Sequence, residues 1–235
     1  MKIKISFLFL ISCLYVSAQY NLSAVLPKVK AMQLQYSGFT VAFDTTICSP
    51  VYSVYILTKE KLNHSPGDRK NFKFLNDSRV HCTLVDDYKY SGYDKGHLTP
   101  FADSKYSAES MHDCFYVSNM CPQIHSFNAG IWERLERNVR KIAQKYDSII
   151  VISAPVIKSE HNVGKLVVPA KFYKILYSVK YNQGIAFIMD QSSEGNIFDY
   201  SYPISSIDTL TKLKFFPVNK MRNTFQKTFW NINEK

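Results

Sequence analysis

The sequence predicts one domain of mixed α+β class, with strand segments on both sides of a single well-patterned helix. Three observations carry that reading. Short segments of alternating or continuously apolar character stand at residues 39–43, 51–58, 148–153, 165–168, 172–180 and 184–189. Between them, Ile131, Leu135, Val139 and Ile142 recur at helical spacing and form one apolar stripe. No internal repeat, low-complexity tract or linker breaks the 235 residues, a length suited to one large domain. With 46% hydrophobic and 20% charged residues, a packed core is readily supplied and the composition argues against disorder.

In chain order, residues 1–4 are a short positive start and residues 5–15 an apolar run too short to span a bilayer comfortably. Val16-Ser17-Ala18 has the small residues of a cleavage site. This predicts a leader over 1–18, an exported (periplasmic or secreted) product and a single domain over 19–235. Leu10-Ile11-Ser12-Cys13 is the second-ranked alternative, a lipid anchor at Cys13. No later stretch is apolar and long enough for a transmembrane helix. Export permits disulfides. Cys48, Cys82, Cys114 and Cys121 then allow three full pairings, and their order does not choose among these or free thiols. The absence of CxxC argues against a zinc site built from cysteines.

Residues 20–37 read as an arm with a short helix near 23–33. Residues 39–43 and 51–58 read as strands joined through Cys48-Ser49-Pro50. Residues 59–93 are polar, long and aperiodic. They hold Asp68-Arg69-Lys70-Asn71-Phe72-Lys73, a basic cluster interleaved with aromatics, which is either a functional loop or a solvated charge run. Phe115-Tyr116-Val117 is a short strand leading into Asn119. A helix then starts near Ser126 or Asn128, with Glu133/Arg137 and Glu136/Arg140 at i, i+4 in the favoured order. The later strands come next, then a last helix over 204–213 and a basic tail from 219. The formal charge of +10 is in favour of a polyanionic partner, nucleic acid or an anionic membrane surface, with a merely basic soluble protein as the plain alternative.

The chemistry concentrates in Tyr93-Asp94-Lys95-Gly96-His97-Leu98-Thr99-Pro100 and in the polar positions between Ser118 and Glu136. His97 stands in a Gly-preceded, polar setting, and a neutral imidazole can take a proton from water near pH 7. Gly96 is read as permitting a tight turn. Asn128 lies 31 residues on, and Glu136 eight beyond that. Eight helical residues rise about 12 Å and rotate by roughly 80°, so the two side chains can border one pocket without both gripping one ion. An amide oxygen and a carboxylate suit Mg²⁺, which keeps most of its waters. The competing roles are a helix N-cap for Asn128 and a surface pair with Arg140 for Glu136.

Asp94-Lys95-Gly96-His97 resembles the D-R-G-H signature of the DNA/RNA non-specific endonucleases, the group of Serratia nuclease and endonuclease G. Ser118-Asn119-Met120-Cys121-Pro122-Gln123, Phe127-Asn128-Ala129-Gly130-Ile131-Trp132 and Leu135-Glu136 are similar to that family's second signature in order and spacing. Pro169-Ala170-Lys171-Phe172-Tyr173-Lys174 and Leu213-Lys214-Phe215-Phe216 extend the similarity. The resemblance implies a central antiparallel sheet flanked by helices, with a ββα-metal (His-Me finger) site. It implies His97 as general base, Asn128 as direct ligand of Mg²⁺ (Mn²⁺ or another divalent ion as the alternative) and Glu136 acting through water. Asn119 would position groups around His97, and Arg69 would steady phosphate charge, with Lys70 as its rival. Lys95 departs from the family arginine: it keeps the charge but loses the bidentate fork. Cys121 is read as packing, with a disulfide as the alternative.

The implied substrates are DNA and RNA, bound through the backbone without regard to sequence and cut to 5′-phosphate ends. A homodimer and an inhibitor protein are left open. Two other readings remain at this point: a catalytically impaired nucleic-acid-binding module on the same fold, and a thiol hydrolase pairing Cys121 with His125, which Pro122 disfavours.

Overall fold

The protein is seen in a computed structural model that describes residues 22–64, 67–157, 162–217, 223 and 225–231. The expected leader, its cleavage site and Cys13 lie outside the described residues. Strands β1 (Met32–Tyr36), β2 (Phe39–Asp44) and β3 (Ser49–Thr58) form an antiparallel meander, followed by helix α1 (Lys59–Asn63). A long segment of turns leads to β4 (Asp94–His97) and α2 (Ala108–Asp113). Then come β5 (Met120–Gln123), the one-turn helix α3 (His125–Phe127) and α4 (Glu133–Tyr146). Strands β6 (Ser148–Val156), β7 (Asn162–Val163), β8 (Leu166–Val167), β9 (Lys171–Ser178), β10 (Gln183–Asp190) and β11 (Ser201–Tyr202) precede α5 (Ser206–Thr211) and α6 (Lys227–Trp230).

One seven-stranded sheet runs in the order β1-β2-β3-β6-β9-β10-β11, with every recorded pairing antiparallel. The α+β class and the central antiparallel sheet expected from the sequence are both present. Strands β3 and β6 are neighbours in the sheet but far apart in the chain. The whole of residues 59–147 is therefore an excursion from the sheet, and it carries all the chemistry of the sequence motifs except Lys174. The sheet is covered on both faces, so its central strands read as continuous apolar runs rather than alternating ones. Along β6, Ile149 and Val151 join one core while Ile150 and Ile152 join the other. The first core is closed by Leu135, Val139, Ile142 and Ala143 of α4, the second by Ile207 of α5 with Phe215 and Phe216. Fully burying a side chain such as Leu135 contributes roughly 1.5–3 kcal/mol, which is why the apolar stripe sets the face of α4 that turns inward.

Four sequence expectations change. Residues 23–33 hold only a 3₁₀ turn (Leu22–Ala24), because Met32 onward pairs along β2 and strand pairing outweighs helical spacing. Residues 115–117 make an isolated bridge, Leu75 to Tyr116, before a 3₁₀ turn at Val117–Asn119. The strand expected at 165–168 shrinks to the small hairpin β7–β8. The last helix ends early, where Lys212 turns left-handed at φ 65°. The aperiodic segment before β4 is held by side chains. Asp77 accepts hydrogen bonds from Arg79, Ser118 and Tyr36, and Asn76 accepts one from the Val85 amide. No helix among the described residues is long and apolar enough to cross a membrane.

Candidate active site

Strands β4 and β5 form a separate two-stranded ribbon, with Asp94 opposite Gln123 and His97 opposite Met120. The chain then turns through α3 into a π-helical segment, Asn128–Trp132, kinked at Gly130, before α4 begins. Ribbon and helix together make the ββα arrangement. His97 thus sits on a strand and not in a turn. Gly96 has no positive φ; what it provides is clearance. A Cβ there would lie 2.1 Å from Gln123 Oε1 and 2.2 Å from its Cδ, and Gln123 is fully buried.

The His97 imidazole is packed against the rings of Phe74 and Phe115, at 5.7 and 5.4 Å between centroids, and its Nε2 has no hydrogen-bond partner. Burial, with the Arg69 charge adding to it, pushes its pKa down to about 3, so the ring is neutral and able to accept a proton. Its backbone is fixed from behind by Asn119. That side chain accepts from Thr99 N at 3.0 Å and donates to the carbonyls of Thr99 and Cys114 at 2.9 Å each, while the Asn119 carbonyl takes the Leu98 amide. Asn119 is completely buried. It is not among the residues that line the cleft, and its bonds are those of a residue that positions the backbone beside His97.

Asn128 is not an N-cap. It lies at the C-terminal end of α3 with helical backbone angles, and its Nδ2 donates to Asp94 Oδ2 at 2.8 Å. That bond turns Oδ1 the other way. His125 Nδ1 shares the same carboxylate oxygen at 2.8 Å. Glu136 is not paired at the surface either. Its Oε1 lies 3.7 Å from Nζ of the wholly buried Lys174, which in turn sits 4.6 Å over the Trp132 ring. Arg140 donates to Asp103 at 3.0 Å, and Tyr55 donates to the same carboxylate at 2.7 Å. Burial raises the Glu136 carboxyl to about 7, against the opposing pull of Lys174. Glu133 and Arg137 do form their expected pair at 2.5 Å.

These groups meet in a cavity of about 300 Å³ lined by Arg69, Lys95, His97, Asn128, Glu136 and Arg140. Larger hollows of about 640 and 550 Å³ lie elsewhere and contain none of them. Arg69 reaches the cavity and packs over Phe115 at 5.4 Å, whereas Lys70 pairs with Asp68 in solvent. The Lys95 ammonium lies 5.0 Å over Phe74 and 5.3 Å over Tyr88, so two rings hold it as a point charge. The set fits a hydrated divalent cation. Only one direct oxygen donor, Asn128 Oδ1, is freed toward the cleft, with the Glu136 carboxylate at a second position. No cluster of three or more His, Cys, Asp or Glu side chains suited to a metal occurs among the described residues. A hard ion that retains most of its waters needs no more than this.

Sequence reasoning missed Asp94 as the group that orients Asn128, and missed Lys174, Asp103 and Arg140 beneath Glu136. A lysine inside the apolar run Phe172-Tyr173-Lys174-Ile175-Leu176 was the available signal. The thiol reading fails. Cys121 is buried with its thiol pushed well above the ordinary range by desolvation, and His125 is turned to Asp94. All four described cysteines are free thiols.

A profile of the family described as DNA/RNA non-specific endonuclease matches residues 20–220. The chain is 32% identical over 173 residues to the mitochondrial nuclease 1 of Schizosaccharomyces pombe, covering 66% of this chain and 54% of that protein. It is 30% identical over 209 residues to the mitochondrial nuclease EXOG of Xenopus laevis, covering 78% and 58%. Human mitochondrial endonuclease G matches at 30% over 155 residues, 59% of this chain and 52% of that protein. The chain thus spans a little over half the length of these curated relatives. A solved EndoG chain, in a complex with EndoGI, superposes with a TM-score of 0.78 at 23% identity. It covers 88% of this chain and 94% of its own, a likeness of fold. The expectation of export is overturned by these relatives, whose names are mitochondrial.

Proposed function

The chain belongs to the DNA/RNA non-specific endonuclease family, and on that premise we propose that it is a divalent-metal-dependent endonuclease that hydrolyses phosphodiester bonds of DNA and RNA without sequence preference. The observation that carries this reading is the meeting of a neutral His97, an outward-turned Asn128 amide oxygen and the Arg69 and Lys95 charges in one cavity.

Asn128 Oδ1 would hold the ion directly and Glu136 would touch it through water, with Mg²⁺ the ion of first choice. When bound, the ion neutralises charge developing on the phosphate and on the leaving oxygen. The remaining steps belong to the chain. Arg69 and Lys95 bring positive charge to the entering phosphate. His97, whose neutral ring lines the cavity, accepts the proton of the attacking water. The negative phosphate moves the imidazole pKa back upward as it enters, so the ring gains basicity when the substrate arrives. Asn119 and the Phe74 and Phe115 rings keep that imidazole in place.

Plasmid digestion tests the proposal. The protein is expected to nick and linearise plasmid with Mg²⁺ and to be silent with EDTA. His97→Ala is expected to lose on the order of 10²–10⁴ in rate. Undiminished cutting by that variant removes His97 as the base. Salt-sensitive binding without cleavage under any divalent ion would instead establish the impaired binding module.

A further inference from the structure

The cavity of about 640 Å³ is remote from the cleft, and its lining includes Cys48, Cys82, Thr46, Ile47 and Lys165. Cys48 closes the turn between β2 and β3 in a left-handed conformation, φ 53°. Its carbonyl accepts a hydrogen bond from Thr83 Oγ1 at 3.0 Å, and Thr83 is the chain neighbour of Cys82. The turn and the segment before β4 are therefore fastened to each other at the two cysteines. The Cys48 and Cys82 side chains line the same cavity, where the Cys48 thiol donates to the Thr45 carbonyl at 3.7 Å, and both cysteines are partly open to solvent. Cys114 and Cys121 differ: each is fully buried in the core. The proposed catalytic chemistry uses neither member of the partly exposed pair.

We propose that Cys48 and Cys82 form a redox site that closes to an intramolecular disulfide by exchange with a low-molecular-weight disulfide such as oxidised glutathione. The thiolate of one cysteine attacks a glutathione sulfur. A protein–glutathione S–S bond forms, the glutathione S–S bond breaks, and one glutathione leaves. The second cysteine, as thiolate, attacks the protein sulfur of that mixed disulfide and expels the other glutathione. The protein loses two protons and two electrons, and the glutathione disulfide takes up both to become two thiols. Burial and the neighbouring Cys82 hold the Cys48 thiol up at about 11, so the exchange speeds up as pH rises through the alkaline range.

The cross-link would close a loop of about 35 residues and join the turn after β2 to the segment bearing Arg69, Phe74 and Asp77. Loop closure of this size raises the melting temperature by roughly 5–15 °C in a domain of this length.

The full-length protein is incubated in buffers of graded reduced-to-oxidised glutathione ratio, quenched with acid, alkylated and mapped by mass spectrometry, with thermal unfolding of each sample. The expected product is lighter by two hydrogens, carries a Cys48–Cys82 linked peptide and melts higher, and dithiothreitol reverses all three changes. Cys48→Ser and Cys82→Ser are each expected to stop at a single glutathione adduct on the remaining partner, with no rise in melting temperature. Stable adducts on both cysteines of the wild type, a link to Cys114 or Cys121, or a linked form with unchanged melting would each overturn the proposal. Should either serine variant fail to fold, the wild-type map and its reversal by reductant decide alone.

Discussion

Asp94 Oδ2 receives two donors, Asn128 Nδ2 and His125 Nδ1, at 2.8 Å each. An amide is nearly symmetric in shape, and only its neighbour decides which end faces the cleft. Removing the carboxylate in Asp94→Ala frees the Asn128 amide to rotate. Partners that orient a metal ligand are worth about 10–100-fold in metal affinity, so the variant should require that much more Mg²⁺ for half-maximal cutting. A metal titration of rate that superposes on wild type would dismiss the orienting role. His97 yields a second prediction, about acid. Its folded pKa, about 3, lies below the ordinary value of 6.5 because burial and then Arg69 disfavour the cation. The unfolded chain therefore binds a proton that the folded one refuses as pH falls from about 6.5 to 3, and stability falls across that window by roughly 4 kcal/mol. Urea unfolding of His97→Gln, which cannot titrate there, should show a shallower loss over the same range; equal slopes refute the assignment. The sequence proposes His97, Asn128, Glu136, Arg69 and Lys95 through the resemblance of the motifs that hold them, and all five line one cavity. It does not disclose the role of Asp94, because its partner comes from a different element and no local spacing records that meeting.

At the scale of elements, the ribbon β4–β5 depends on a close approach. Gln123 lies where a Cβ of residue 96 would stand, and being wholly enclosed it has no room to swing away. Gly96→Ala should therefore destabilise the protein by about 1–3 kcal/mol, the cost of overpacking. It should also displace His97, the next residue, and lower the cutting rate. Denaturant unfolding and single-turnover kinetics measure the two effects, and a neutral result in both would mean the strand opens freely. The sequence suggests a turn at Gly96, since glycine more often serves positive φ; the side chain it must clear is 27 positions away. The helix is legible for the opposite reason. Ile131, Leu135, Val139 and Ile142 are all buried on one side, as their spacing requires. The interruption at Gly130 is not legible, and it separates Asn128 from Glu136 by a π-helical segment rather than a straight run.

Across the whole molecule, most strands are visible from their own residues, but their order is not. β3 and β6 are paired through Ser53↔Ser153 and Thr58↔Ser148 with residues 59–147 between them, and nothing local says that so long an excursion returns to the adjoining position. Once it does, the sheet divides two cores. Phe215 belongs to the far one, edge-on to Tyr52 and Tyr173. Phe215→Ala should cost about 3–5 kcal/mol, seen as a lower melting temperature, while the kcat/KM of the folded variant on plasmid stays within about twofold of wild type. A large fall in kcat/KM at a temperature where the variant remains folded would contradict that separation.

The consequence is a division of labour between the two sides of one wall. On one side the Phe74, Phe115 and Trp132 rings hold up working groups, so drift at those rings is tested at once against the reaction. On the other side the same kind of ring is only ballast, and replacements are limited by the margin against melting. Lineages can therefore exchange the back of this wall while keeping the front.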